Sequence, residues 1–110
     1  MKKSTLYKGF LEPIVMKLLK EQGRMYGYQI TQQVKALTKG ELQITEGALY
    51  PLLHRLEEAG LLETEQEEVG NRLRKYYKLT QKGAKGTVLA MEELEQFMRS
   101  LQWMFQPKIS

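Results

Sequence analysis

Thr45-Glu46-Gly47-Ala48-Leu49-Tyr50-Pro51-Leu52-Leu53-His54-Arg55-Leu56-Glu57-Glu58-Ala59-Gly60 is the stretch on which the fold of this chain turns. Thr45 offers a hydroxyl to the unsatisfied N–H groups of a helix start, and Glu46 sets a carboxylate at the positive end of the helix dipole. Leu49, Leu52, Leu53 and Leu56 recur at the three- and four-residue steps of one helical face. Glu46, Tyr50, His54, Arg55 and Glu58 take the opposite, polar face. Gly60 closes the segment. Pro51 lacks an N–H and crowds the carbonyl of Gly47, four residues back. Two readings stay open: a bend tolerated early in the helix because glycine yields, or a regular helix that begins only near Leu49.

Upstream, Phe10, Leu11, Ile14, Val15, Leu18 and Leu19 follow one helical face. Pro13 suits a first turn, where its missing N–H costs nothing. The spacing predicts a helix from Glu12 to Gln22, stopped at Gly23, with residues 4–11 as an arm or short helix. Tyr26, Ile30, Val34 and Leu37 predict a second helix over 26–38, stopped by Lys39-Gly40. Glu41-Leu42-Gln43-Ile44 alternates polar and apolar, as a very short strand would.

Downstream, residues 61–68 and 73–79 read as two strands around Gly70-Asn71, residues that accept positive φ in a tight hairpin. Leu73, Tyr77 and Leu79 share one face of the second strand; Arg74, Tyr76 and Lys78 share the other. Thr80 is a second N-cap, and a long helix runs to about Phe105. Ala84, Thr87, Met91, Leu94, Met98, Leu101 and Phe105 step by three and four along it, a heptad seam. Phe97 and Met104 widen the seam. Such a helix reaches about 38 Å at 1.5 Å per residue, more than three short helices can cover, so part of it is expected to meet a partner. Gln106 to Ser110 reads as a loose tail.

With 110 residues the chain has room for one domain, and its 42% hydrophobic and 27% charged content is an ordinary globular mixture. Its net charge is +4. Glu63-Thr64-Glu65-Gln66-Glu67-Glu68 is acidic, whereas residues 72–78 carry Arg72, Arg74, Lys75 and Lys78 with no acid, a candidate phosphate-binding cluster. All 13 acids are Glu, His54 is the one histidine and there is no Cys. That inventory argues against a catalytic triad or a zinc site, so neither enzyme activity, metal nor cofactor is expected. No run reaches the roughly 18 apolar residues of a membrane span. The basic start Met1-Lys2-Lys3-Ser4 lacks a following apolar stretch of signal-peptide type. A cytoplasmic location without membrane contact is expected.

Three helices, a hairpin and a long helix, in that order, predict an α+β, mostly helical fold: a winged helix-turn-helix with a long C-terminal dimerisation helix. Residues 1–79 are expected to form the winged helix-turn-helix unit, and 80–110 the dimerisation helix and tail, as one compact domain overall. A helix of about 10–12 Å diameter fills a major groove about 12 Å wide, and its outward side chains meet base edges. A hairpin beside it sets register through Arg and Lys on phosphates.

Four blocks in order carry a resemblance: Tyr26-Gly27-Tyr28; Gly47-Ala48-Leu49-Tyr50-Pro51-Leu52-Leu53-His54-Arg55-Leu56-Glu57; Gly60-Leu61-Leu62; and Arg74-Lys75-Tyr76-Tyr77-Lys78-Leu79-Thr80-Gln81-Lys82-Gly83. Over residues 6–105 the chain resembles the PadR-like family of bacterial transcriptional regulators, the smaller subfamily with a single terminal helix. The resemblance implies a homodimeric repressor on double-stranded DNA, released by a small hydrophobic effector or by stress. It implies Thr45, Tyr50 and His54 on the recognition helix, Tyr28 at the phosphate backbone, and Arg72, Arg74 and Lys75 in the wing. Here the wing turn reads Gly70-Asn71-Arg72-Leu73, where the family often has Gly-Gly-Arg and then Pro or a basic residue. Some drug-binding members carry a tryptophan in the dimer cavity; the aligned residue is Leu94, and the single Trp is Trp103.

Leu11, Met91, Leu94, Met98, Leu101 and Phe105 are the candidate dimer contacts, and Leu94, Phe97 and Met98 a candidate ligand pocket. Plainer readings stand beside these. The wing cations could simply balance the acidic strand, Tyr50 and His54 could be an ordinary exposed pair, and the Met stripe could pack onto the chain's own first helix. Two rival functions remain: a winged-helix protein–protein adaptor, and a small-molecule sensor without DNA binding.

Overall fold

Leu11–Gln22 forms helix α1, entered through a short 3-10 turn at Lys8–Phe10, with Pro13 in the first turn as its missing N–H requires. The computed structural model describes residues 8–106. Residues 4–7 of the arm expected at 4–11 and residues 107–110 of the tail expected at 106–110 lie outside them. Gly23 stops α1 in the left-handed region, φ +90°, and its N–H bonds the Leu19 carbonyl at 2.9 Å.

The chain then makes a strand that periodicity did not reveal. β1 (Arg24–Tyr26) is three residues long and exists only by pairing with a distant partner. Helix α2 (Gly27–Leu37) follows, and the Gln29 side chain accepts the Tyr26 N–H at 3.0 Å. Ile30 and Val34 are buried, but Leu37 is 65% exposed and is not on the core face expected of it. It sits in the last turn, just before the chain breaks away at Lys39 (φ +53°) and Gly40 (φ +81°). Residues 41–44 form no strand. They keep the expected alternation, because Leu42 and Ile44 drop into the core while Glu41 and Gln43 stay out.

Helix α3 (Glu46–Glu58) runs through Pro51 without a break, so the tolerated-proline reading is the correct one. Pro51 lies on the exposed face, and the carbonyl it fails to satisfy belongs to Gly47, also exposed, where water can serve it. Leu49, Leu52, Leu53 and Leu56 are buried together with Val15, Leu18 and Leu19 of α1 and Ile30 and Val34 of α2. Truncating a fully buried leucine such as Leu53 to alanine costs about 2–5 kcal/mol.

β2 (Leu62–Val69) and β3 (Arg72–Leu79) pair antiparallel, and the sheet order is β1-β3-β2. Val69 faces Arg72 in register, so Gly70-Asn71 is a two-residue turn; of the two only Gly70 (φ +63°) takes the left-handed conformation. The inner face lays Met25, Leu62 and Tyr77 on the helices. Leu73 shares that face but is 69% exposed, because the hairpin tip extends past the core. Helix α4 (Gln81–Phe105) packs its first half on α1 and then continues outward. The molecule is consequently long, 65 × 29 × 20 Å. No helix among the described residues is long and apolar enough to cross a membrane.

Candidate nucleic-acid interface

The N-terminus of α3 is built as the sequence asks. The Thr45 hydroxyl accepts the Ala48 N–H at 3.2 Å, and Glu46 occupies the first turn. The link from α2 is tied down by Thr38, whose hydroxyl donates to the Val34 carbonyl at 2.8 Å and accepts the Leu42 N–H at 3.0 Å. With its leucines buried, α3 turns Gly47, Ala48, Tyr50, Pro51, His54 and Arg55 to solvent. Beside the exposed Glu46, the first turns of this face carry the small Gly47 and Ala48, which let a groove wall come close to the helix.

Tyr50 has a second role that sequence reading missed. Its ring leans on α2: a Cβ added at Gly27 would lie 2.5 Å from the Tyr50 hydroxyl oxygen. A side chain at the first position of α2 would displace the Tyr50 ring from this seat. Partial burial, then Glu46 and Tyr77, push the Tyr50 hydroxyl above its ordinary range. It is therefore protonated at neutral pH and free to hydrogen-bond. No local pattern could have announced this pairing, which joins residues on two elements.

Tyr28, second in α2, is 57% exposed beside that notch. His54 is exposed, with Nε2 3.3 Å from a Glu58 oxygen. Arg55 lies 3.1 Å from Glu12 on α1, so its charge is directed at the protein itself. Tyr50 and His54 lie one turn apart on the exposed side of α3, with Thr45 at its N-cap and Tyr28 in the first turn of α2.

The wing is more divided. Arg72 and Arg74 point to the outer face of the sheet, whereas Lys75 points to the inner side, where Nζ lies 3.9 Å from Glu57 and 5.3 Å from the Tyr77 ring centre. On the outer face Arg74 stacks 4.1 Å over Tyr26, Tyr26 meets Tyr76 edge-on at 5.6 Å, and Arg24 stacks 4.1 Å over Tyr76. Arg24 also binds Glu65 at 2.9 Å and Glu67, and Lys78 reaches Glu65 at 2.5 Å and Glu63 at 3.6 Å. Lys78, then Arg24, hold the Glu65 carboxyl below its usual range. The acidic strand therefore neutralises Arg24 and Lys78. Arg72 has no ion-pair partner among the described residues and stands at the tip, beside the exposed Val69 and Leu73.

Along α4, Leu94 is half-buried, and Phe97 and Met98 are each 48% exposed, with Phe97 stacked 6.3 Å from Phe10. The three lie close on one face of the helix. A shallow groove instead lies on the other side of α4, lined by Gln96, Arg99, Ser100 and Trp103.

Residues 15–87 match the family model of the transcriptional regulator PadR-like family. A transcriptional regulator of Mycobacterium tuberculosis is 35% identical over 77 residues, covering 70% of this chain and 69% of that protein. A transcriptional regulator from Clostridium thermocellum superimposes with a TM-score of 0.84 at 29% identity, over 94% of this chain and 100% of that one. A PadR family transcriptional regulator from Eggerthella lenta gives a TM-score of 0.77 at 29% identity, over 94% and 88% of the two chains.

Proposed function

The chain belongs to the PadR-like family of transcriptional regulators, and from that premise we propose that it is a homodimeric repressor that binds an inverted-repeat operator. The observation that carries the reading is the unoccupied face of α3. Its buried side is complete, and its solvent side offers Gly47, Tyr50, Pro51 and His54 to a groove. Tyr28, Thr45, Tyr50 and His54 are the proposed contacts on the helices. Arg72, Arg74 and Lys75 are the proposed wing contacts, with Arg72 the strongest because among the described residues neither a carboxylate, as for Lys75, nor a ring, as for Arg74, engages it.

The dimer is proposed to form through Leu11, Met91, Leu94, Met98, Leu101 and Phe105. Met98 and Phe105 remain half to three-quarters exposed in the single chain, which supports a partner covering them. In such a dimer one α3 per subunit enters successive major grooves about 34 Å apart. A small hydrophobic effector would act at Leu94, Phe97 and Met98, where flexible apolar side chains adjust to varied shapes. The cytoplasm is the compartment this function requires.

Fluorescence anisotropy with the DNA upstream of the protein's own gene tests the reading. At about 150 mM salt the wild type is expected to bind this DNA at least about 1,000-fold tighter than scrambled DNA. His54→Glu should lose most of that preference. Arg72→Glu should weaken binding to both DNAs and flatten the salt dependence by about one phosphate's worth. Equal binding to both DNAs, or His54→Glu behaving as wild type, overturns the proposal and favours the adaptor.

A further inference from the structure

The end of α3 and the start of α4 meet in a joint made of backbone carbonyls. Ala59, Gly60 and Leu61 leave α3 in succession. Lys82 Nζ donates to the Ala59 carbonyl at 3.0 Å, the Thr80 hydroxyl to the Gly60 carbonyl at 2.7 Å, and the Thr80 N–H to the Leu61 carbonyl at 3.0 Å. Leu61 also faces backwards, its N–H bonding the Leu56 carbonyl inside α3 at 2.9 Å. One residue thus spans both helices.

The joint has little slack. A Cβ on Gly83 would lie 2.0 Å from the Leu61 carbonyl oxygen, so the first turn of α4 already touches that backbone. The turn is locked from within as well. Thr80 Oγ1 accepts the Gly83 N–H at 3.0 Å, and the buried Thr87 hydroxyl donates to the Gly83 carbonyl at 2.8 Å. Gly86 adds contacts with Met16 and Leu61 at 3.8 and 3.9 Å.

We propose that this joint fixes the angle between α3 and α4, and that Thr80 and Lys82 are positioning residues that set which half-site spacing the protein accepts. The proposal rests on the DNA-binding dimer put forward above. The lever arm gives its scale. A helix of 25 residues is about 38 Å long, so a tilt of about 5° at the joint displaces its far end by about 3 Å. That matches the roughly 3.4 Å rise of one base pair. A few degrees of play would let the dimer accept a neighbouring spacing, and a stiff joint refuses it.

The test measures binding to duplexes carrying the footprinted half-sites at the natural spacing and at one and two base pairs more or less. The proteins are the wild type, Thr80→Ser, Lys82→Gln and the double variant Thr80→Val/Lys82→Gln. Wild type and Thr80→Ser, which keeps the hydroxyl, should lose about tenfold per base pair of altered spacing. Lys82→Gln should lose clearly less, and the double variant less than about threefold, with dimerisation and single half-site binding kept. A lost phosphate contact at Lys82 would instead lower all spacings equally. Lys82→Gln touches no cap, so its profile decides the matter even if the double variant unfolds. A wild-type profile in Lys82→Gln overturns the joint and leaves α1 packing to set the angle. A wild type that binds none of its upstream DNA overturns the DNA-binding reading itself, and the joint's role with it.

Discussion

The two halves of α4 carry one apolar spacing and meet opposite surroundings. In the first half, which packs on α1, Gly83 and Thr87 are buried and Ala84 and Met91 are partly covered. In the second half Met98 is 48% exposed, Met104 71% and Phe105 73%. The contrast teaches that a heptad seam announces burial without saying by what. The first half finds its partner inside the chain. The second half extends past the core of the described residues, and its continuous seam is what the proposed second copy would cover.

The largest expected effect breaks the first half. Gly83→Ala puts a methyl into the Leu61 carbonyl, so unfolding free energy should fall by about 3 kcal/mol. Gly86→Ala is the control on the same helix. Its nearest neighbours stand at 3.8 Å or more, and alanine's better helix propensity should leave it neutral or up to about 1 kcal/mol more stable. Urea denaturation of both variants checks the pair, and equal losses would contradict the packing described.

Next comes the second half. Met98→Glu places a charge in the exposed seam, where it costs the single chain little but desolvates in a dimer. The dimer should weaken at least about 100-fold with helicity unchanged, read by sedimentation and circular dichroism. Loss of fold together with dimer would mean that the far half is not separable.

Thr80→Val removes the hydroxyl that accepts from Gly83 and donates to Gly60. A loss of about 1 kcal/mol is expected, the size of a typical N-cap. The smallest effect is at Trp103, 80% exposed and two residues past the seam residue Leu101, hence on the far side of the helix. Trp103→Ala should change stability by less than about 0.5 kcal/mol. Trp103 emission in the wild type should stay solvent-like from dilute to concentrated protein. A blue shift with concentration would move the interface to the Trp103 side.

Much of the fold was legible because its signals are local. Thr45, Thr80, Gly23 and Gly70 mark ends and turns through their own side chains or φ angles, and the leucines of α3 mark its buried face. What escaped depends on distant partners. β1 is a strand only because Arg24, Met25 and Tyr26 lie against Lys78, Tyr77 and Tyr76. Leu37 and Leu73 continue an apolar pattern, but periodicity does not say where the core stops. In the site the division is similar. Exposure of Tyr50 and His54 followed from helical spacing, whereas the Gly27–Tyr50 contact and the carboxylates that claim Arg24 and Lys78 needed the folded chain. Arg74 and Lys75 are adjacent and therefore point to opposite faces, which strand alternation already implied.

The most direct test of a dimer reading DNA through α3 is a hydroxyl-radical footprint of the wild type on the DNA upstream of its own gene, at about 150 mM salt. Two protected patches related by inverted symmetry, with centres one helical turn or a multiple of about 34 Å apart, are the expected result. A single patch, or protection no different from that of unrelated DNA, would contradict the account.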